Sequence, residues 1–170
     1  MAVALAASDP NRAMGYIDES LTVARPIRYR WVIATALTLQ CTLRAQYGEP
    51  IEALLSVREA IALWHRAGDW ASQWRTLRCA IAPLAKLRAY EAAATVQGTT
   101  ANKTFMGEFP AGFDAELAKA LDAAQRKLGE RSLSAATAHG AKLSDEEAIA
   151  YALAAIGKLL SESHRRAGET

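Results

Sequence analysis

The stretch that comes nearest to a known chemical motif is Gly98-Thr-Thr-Ala-Asn-Lys103-Thr104. A phosphate-binding loop ends in the same Lys-Thr pair, but its backbone N–H groups close round phosphate only when four residues separate two glycines and the second directly precedes the lysine. Here three residues follow Gly98, Asn102 stands in the second glycine's place, and no strand pattern leads in. The stretch reads as a loop, not a nucleotide site. His65, His139 and His164 are too far apart to form a helical ligand pair, and none lies in an HExxH pattern or beside a nucleophile. Asp145, Glu146 and Glu147 have the acidic types of general catalysts, yet carboxylates are expected in a first helical turn because they complement the helix dipole. Cys41 and Cys79 lack CxxC spacing and a neighbouring histidine, and read as reduced, buried thiols. The sequence offers no catalytic residue, metal-ligand set or cofactor site, so the chain is expected not to be an enzyme.

Trp31, Trp64, Trp70 and Trp74 are interleaved with Arg25, Arg28, Arg30, Arg66, Arg75 and Arg78, a combination able to stack nucleic-acid bases. Twenty Lys and Arg against eighteen Asp and Glu leave a net charge of +2, far from the one-sided balance of a dedicated nucleic-acid binder. Trp70 and Trp74 also fall one helical turn apart, which suits packing. Direct nucleic-acid binding is therefore not expected.

The elements that must carry these residues are helices. A chain of 170 residues, 51% hydrophobic and 22% charged, is long enough for one real core. No run approaches the roughly 18 apolar residues of a membrane span. Met1–Ala7 lacks the basic start of an export signal. No membrane partner and a cytoplasmic location follow as expectations. Alanine is abundant and β-branched alternation nearly absent. Asp9-Pro10 and Glu49-Pro50 each open a helix, since proline at the first helical position gives up only an unpaired N–H. Ala13, Ile17 and Leu21 share a face of the first; Ala53, Val57 and Ile61, each forty positions on, share a face of the second. The same offset relates Leu37 to Leu77 and Ala45 to Ala85, and leads on to Ala93.

A period near forty fits helical hairpins that bury their apolar faces by stacking. Paired helices are expected at about 9–25, 29–47, 49–67, 69–87 and 88–97, with Gly48 and Gly68 at reversals. Pro83 should kink the fourth by removing the bond to Cys79. Residues 98–109 read as a loop. A helix lined by Phe113, Leu117, Leu121, Ala124 and Leu128 begins near Pro110, and a shorter one spans about 131–138. Ser144 with Glu147 forms a capping box before a last apolar run, and the tail from Ser161 should fray. The fold expected is all-α: a tetratricopeptide-like antiparallel helix-hairpin array, an α-α superhelix. Residues 1–97 form the repeats with the first truncated, 98–109 the loop, and 110–170 C-terminal helices packing on the array.

Ala67-Gly-Asp-Trp-Ala-Ser-Gln-Trp-Arg-Thr-Leu-Arg78, continued by Ala82-Pro-Leu-Ala-Lys-Leu87 and Glu91-Ala-Ala-Ala94, resembles the helical-repeat region of large bacterial signalling regulators. In that family an ATPase of the AAA or NB-ARC type, sometimes preceded by a nucleotide cyclase domain, is followed by tetratricopeptide-like repeats and often by a LuxR-type DNA-binding domain. Leu128-Gly-Glu130, His139-Gly140, Leu143-Ser144 and Glu147–Leu153 resemble the end of that region. The resemblance implies a cofactor-free protein-interaction module in signalling or transcriptional regulation, a detached C-terminal part of such a regulator. Two departures are visible: Arg88 stands where the family usually has a turn glycine, and Arg28 where the repeat register would put one, so both turns are expected to be looser. Ala2–Ala7 reads as the end of a helix whose start is missing. A structural remnant with no activity of its own is the competing reading, and it predicts an exposed apolar patch and self-association through the truncated first repeat.

Stacked hairpin repeats present a concave face that receives an extended peptide or a partner helix. With Gly48 fixing the register, its exposed positions are Thr35, Thr38, Thr42 and Gln46 on one helix, then Arg75, Arg78 and Lys86 on the next. Such a polar wall beside a basic one suits a protein or peptide partner, above all an acidic segment or chain-end carboxylate held by charge-assisted hydrogen bonds.

Overall fold

The computed structural model describes residues 5, 6, 8–105 and 108–168; most of the Ala2–Ala7 stretch lies outside them. Among the described residues every regular element is a helix. In chain order these are α1 (Pro10–Ala24), α2 (Arg30–Tyr47), α3 (Pro50–Ala67), α4 (Trp70–Cys79), α5 (Ile81–Lys86), α6 (Tyr90–Thr100), α7 (Phe113–Leu128), α8 (Glu130–Lys142) and α9 (Asp145–Gly168). The starts follow local chemistry. Pro10 and Pro50 occupy first-turn positions, and the Asp9 and Asp69 carboxylates accept the N–H groups of Arg12 and Ser72, both at 3.0 Å. At α9 the capping box is reciprocal. The Glu147 N–H donates to Ser144 Oγ, while the Ser144 N–H at 2.8 Å and the Ser144 hydroxyl at 2.7 Å both donate to the Glu147 carboxylate and hold it below its ordinary pKa.

The reversals have a stricter period than the side chains. Arg28, Gly48, Gly68 and Arg88, twenty positions apart, all adopt the left-handed backbone, with φ of 54°, 95°, 67° and 64°. Each is followed by an N–H that reaches back five residues: Tyr29 to Ala24 at 3.0 Å, Glu49 to Arg44 at 2.9 Å, Asp69 to Trp64 at 3.2 Å and Ala89 to Leu84 at 2.9 Å. This is the Schellman closure that satisfies helix-terminal carbonyls. The two arginine turns are thus closed as tightly as the glycine turns, contrary to the looser geometry expected of them.

Pro83 acts as expected: it cannot donate to the Cys79 carbonyl, α4 stops at Cys79 and α5 starts at Ile81. The freed carbonyl instead accepts the thiol of Cys41 at 3.5 Å. Burial pushes both Cys41 and Cys79 thiols above their ordinary pKa, so they stay protonated and inert.

The positions matched at the forty-residue offset, Ala13, Ile17, Leu21, Leu37, Ala45 and their counterparts as far as Ala93, are all buried. One apolar cluster joins α1 with parts of α2 and α3. A larger one runs from Cys41 through α3, α4 and α5 to Val96, and includes Phe113 and Leu117 of α7 and Ile149, Ile156 and Leu160 of α9. The C-terminal helices thus share the core of the array. Several boundaries depart from the sequence reading. Helix α6 runs to Thr100, into the expected 98–109 loop, where α8 packs against Gly98 and the buried Thr99 and Thr100 satisfy their hydroxyls on Val96 O at 2.8 and 3.0 Å. Helix α9 continues to Gly168, past Ser161 where fraying was expected. Further, α7 begins at Phe113, and α8 is longer than expected at both ends.

Helices α6 and α8 meet backbone to backbone. A Cβ on Gly98 would stand 2.1 Å from Thr137 O, and one on Gly140 1.9 Å from Thr95 O. Each glycine thus opens the space into which the other helix's carbonyl fits.

Candidate functional site

The face proposed from sequence is assembled from α2, α4 and α5, but its polar wall is not open. Thr38 and Thr42 are only 2% and 3% exposed. Thr38 Oγ1 lies 2.8 Å from Thr76 Oγ1 and donates or accepts within the helix seam, and Thr42 Oγ1 donates to Cys79 Sγ at 3.5 Å. These hydroxyls stitch α2 to α4 and are corrected from groove positions to seam positions. The period that put them on the polar side of α2 did not reveal that α4 covers that side. Thr35 is half-buried one turn away, and Gln46 stands at the far end of α2, where its Nε2 donates to Ala111 O at 3.1 Å.

Of the basic wall, Lys86 is exposed while Arg75 and Arg78 are half-buried beneath other residues of the chain. Arg75 donates through Nη2 to Glu108 O at 2.5 Å, with its guanidinium carbon 5.4 Å from the Phe109 ring centre. Arg78 stands 5.4 Å from the Phe105 ring centre. Phe109 is stacked on Phe113 with centroids 3.9 Å apart, and Phe105 meets Phe109 edge on. Lys86 donates to Ala45 O and pairs with Glu116 of α7 at 3.1 Å. Burial would raise the Glu116 pKa, but hydrogen bonds from Lys119 and Lys86 outweigh it and hold the carboxyl below its ordinary pKa. Lys103 pairs with Asp145 at 2.7 Å and stands 4.5 Å from the Trp74 ring centre, while Trp70 stacks on Trp74.

Sequence reasoning missed Lys103, Phe105, Phe109 and Glu116 as partners of this face. A signal for three of the rings was present: Phe105, Phe109 and Phe113 recur every four positions across a stretch otherwise free of helical period. Arg75 and Arg78 take part in no ion pair among the described residues, so their in-plane donors remain without a carboxylate. A cleft of about 280 Å³ beside Lys86 is lined by Arg88, Lys119 and Glu116 as its one carboxylate, and neither Arg75 nor Arg78 reaches it. Among the described residues no three His, Cys, Asp or Glu side chains gather as a metal site, and no helix is long and apolar enough to cross a membrane.

Together these features define an all-α array of packed helices that carries a cationic, aromatic-bearing face. No protein-family model, curated protein or solved structure matches the chain.

Proposed function

We propose that the chain is a non-catalytic protein-interaction and regulatory module, tetratricopeptide-like in its hairpins and derived from the C-terminal part of a bacterial signalling ATPase or LuxR-type transcriptional regulator. The observation that carries the interaction reading is the face of α4 and α5. It holds an irregular stretch of polypeptide through contacts to a main-chain carbonyl and to rings, the means by which a surface grips a peptide. The regulatory family is supported by the motifs around Ala67–Arg78 and Glu147–Leu153, and by main-chain reversals every twenty residues, as paired helices of a stacked repeat require. Because Arg75 and Arg78 lack a carboxylate partner, the partner is an acidic segment or a chain-end carboxylate.

Fluorescence anisotropy with a labelled eight-residue acidic peptide ending in a free carboxylate tests this. Saturable binding is expected that weakens as salt rises and falls at least about tenfold in Arg75→Ala/Arg78→Ala. Binding that fails to saturate, or that the double variant leaves unchanged, removes the acidic partner.

A second reading, a structural remnant that self-associates, is favoured by one observation. Among the described residues the exposed large hydrophobic side chains are Val23, Ile27, Tyr29, Trp31 and Tyr47, all on α1, α2 or the turns that flank them.

A further inference from the structure

Lys103, Phe105 and Phe109, together with the carbonyl of Glu108, each meet the face through a contact of a different kind. The Lys103 ammonium is held between the Asp145 carboxylate and the Trp74 ring. Phe105 takes the Arg78 guanidinium, and Phe109 takes that of Arg75, which also binds the carbonyl just before that ring. A cation beside a ring is attracted by the ring's quadrupole, an interaction that an aliphatic side chain of equal volume does not give. Phe105 and Phe109 are half-buried, whereas Phe113, which opens α7, is 4% exposed and belongs to the core. The two outer rings pack against that core from its edge, between it and solvent, where the arginines of the face reach them.

We propose that Lys103-Thr-Phe105…Phe109 is a built-in occupant of this face. Its spacing then describes a further class of partner: a polypeptide segment with a lysine, an aromatic residue two positions on and a second aromatic four positions after that. The proposal rests on the reading of the chain as an interaction module, and adds to it that the site is filled from within until a competitor arrives. A tethered segment acts at an effective concentration on the order of millimolar. An external segment binds the free fraction of the face alone, so its apparent affinity is lowered by that fraction.

The probe is a fluorescein-labelled peptide of residues 101–112, titrated by anisotropy against the wild-type chain and against Phe105→Ser/Phe109→Ser, with circular dichroism and thermal melting to show that both are folded. The released variant is expected to bind at least about tenfold tighter than wild type, since the tethered competitor is gone. A peptide with leucine at both phenylalanine positions should bind at least about tenfold more weakly. Adding Arg75→Ala/Arg78→Ala to the released variant should abolish binding. Should the serine variant not fold, Phe105→Leu/Phe109→Leu keeps the apolar volume and serves in the same titration. Equal affinity for wild-type and released chains, equal affinity for the leucine peptide, or no binding to a folded released variant overturns the proposal. If the acidic peptide binds while this one does not, the module reading stands and the built-in occupant falls; if neither binds, both fall.

Discussion

Arg28 and Arg88 hold a backbone conformation in which Cβ crowds the following carbonyl, a loss of roughly 1–2 kcal/mol for a residue other than glycine. Gly48 and Gly68 make the same turn without that crowding. Arg88→Gly is therefore expected to stabilise the fold, by about 0.5–1 kcal/mol once the larger unfolded-state entropy of glycine is subtracted. Urea unfolding monitored by circular dichroism checks this; a lower midpoint would show that the Arg88 side chain contributes more than its backbone loses. Sequence alone marked both positions as turns lacking their usual glycine. It could not show that they would close regardless. The flanking helices are fixed by buried faces, from Leu21 and Ala24 on one side to Leu84 and Ala93 on another, and this packing imposes the turn on whatever residue stands there.

At the scale of elements, glycines within helices separate into those that permit a contact and those that merely weaken a helix. Gly140 in α8 faces Thr95 O so closely that any Cβ forces α6 and α8 apart, whereas Gly157 in α9 has no such neighbour within 4 Å. Gly140→Ala is expected to cost about 1–3 kcal/mol or more, as overpacking does. Gly157→Ala should gain about 0.5–1 kcal/mol from helix propensity. Thermal melts of the pair decide it: equal shifts would mean that the α6–α8 seam relaxes freely. This seam was illegible in the sequence, where Gly98-Thr-Thr looks like the start of a loop. Helix α6 persists because α8 covers Gly98, and its buried threonines are tolerated there because their hydroxyls find Val96 O. The entries at Asp9-Pro10, Glu49-Pro50 and Ser144 with Glu147 were legible, since a proline at the first helical position and a capping box are written in the chain itself, whereas the Asp69 cap was not read.

For the molecule as a whole, the all-α stack could be read from forty-residue periodicity, whereas the occupied face could not. Arg75 and Arg78 were identifiable as surface cations, but their ring partners lie some thirty residues on, and only the shared core of α4, α5 and α7 brings the two together. The apolar side chains at the other end remain uncovered, Ile27 at 68% and Trp31 at 57% exposure. If they make the chain associate with itself, multi-angle light scattering should give a dimer for wild type and a monomer for Ile27→Ser/Trp31→Ala. A wild-type monomer at tens of micromolar, a range in which weak interfaces are already populated, would remove self-association and with it the remnant reading.

The left-handed residues at 28, 48, 68 and 88 also bear on how kin of this chain are to be found. Two of the four are arginine rather than glycine and still make the bend, so the corner does not depend on the residue that stands at it. A search for chains of this build is therefore better keyed to a bend every twenty positions than to the letters found there.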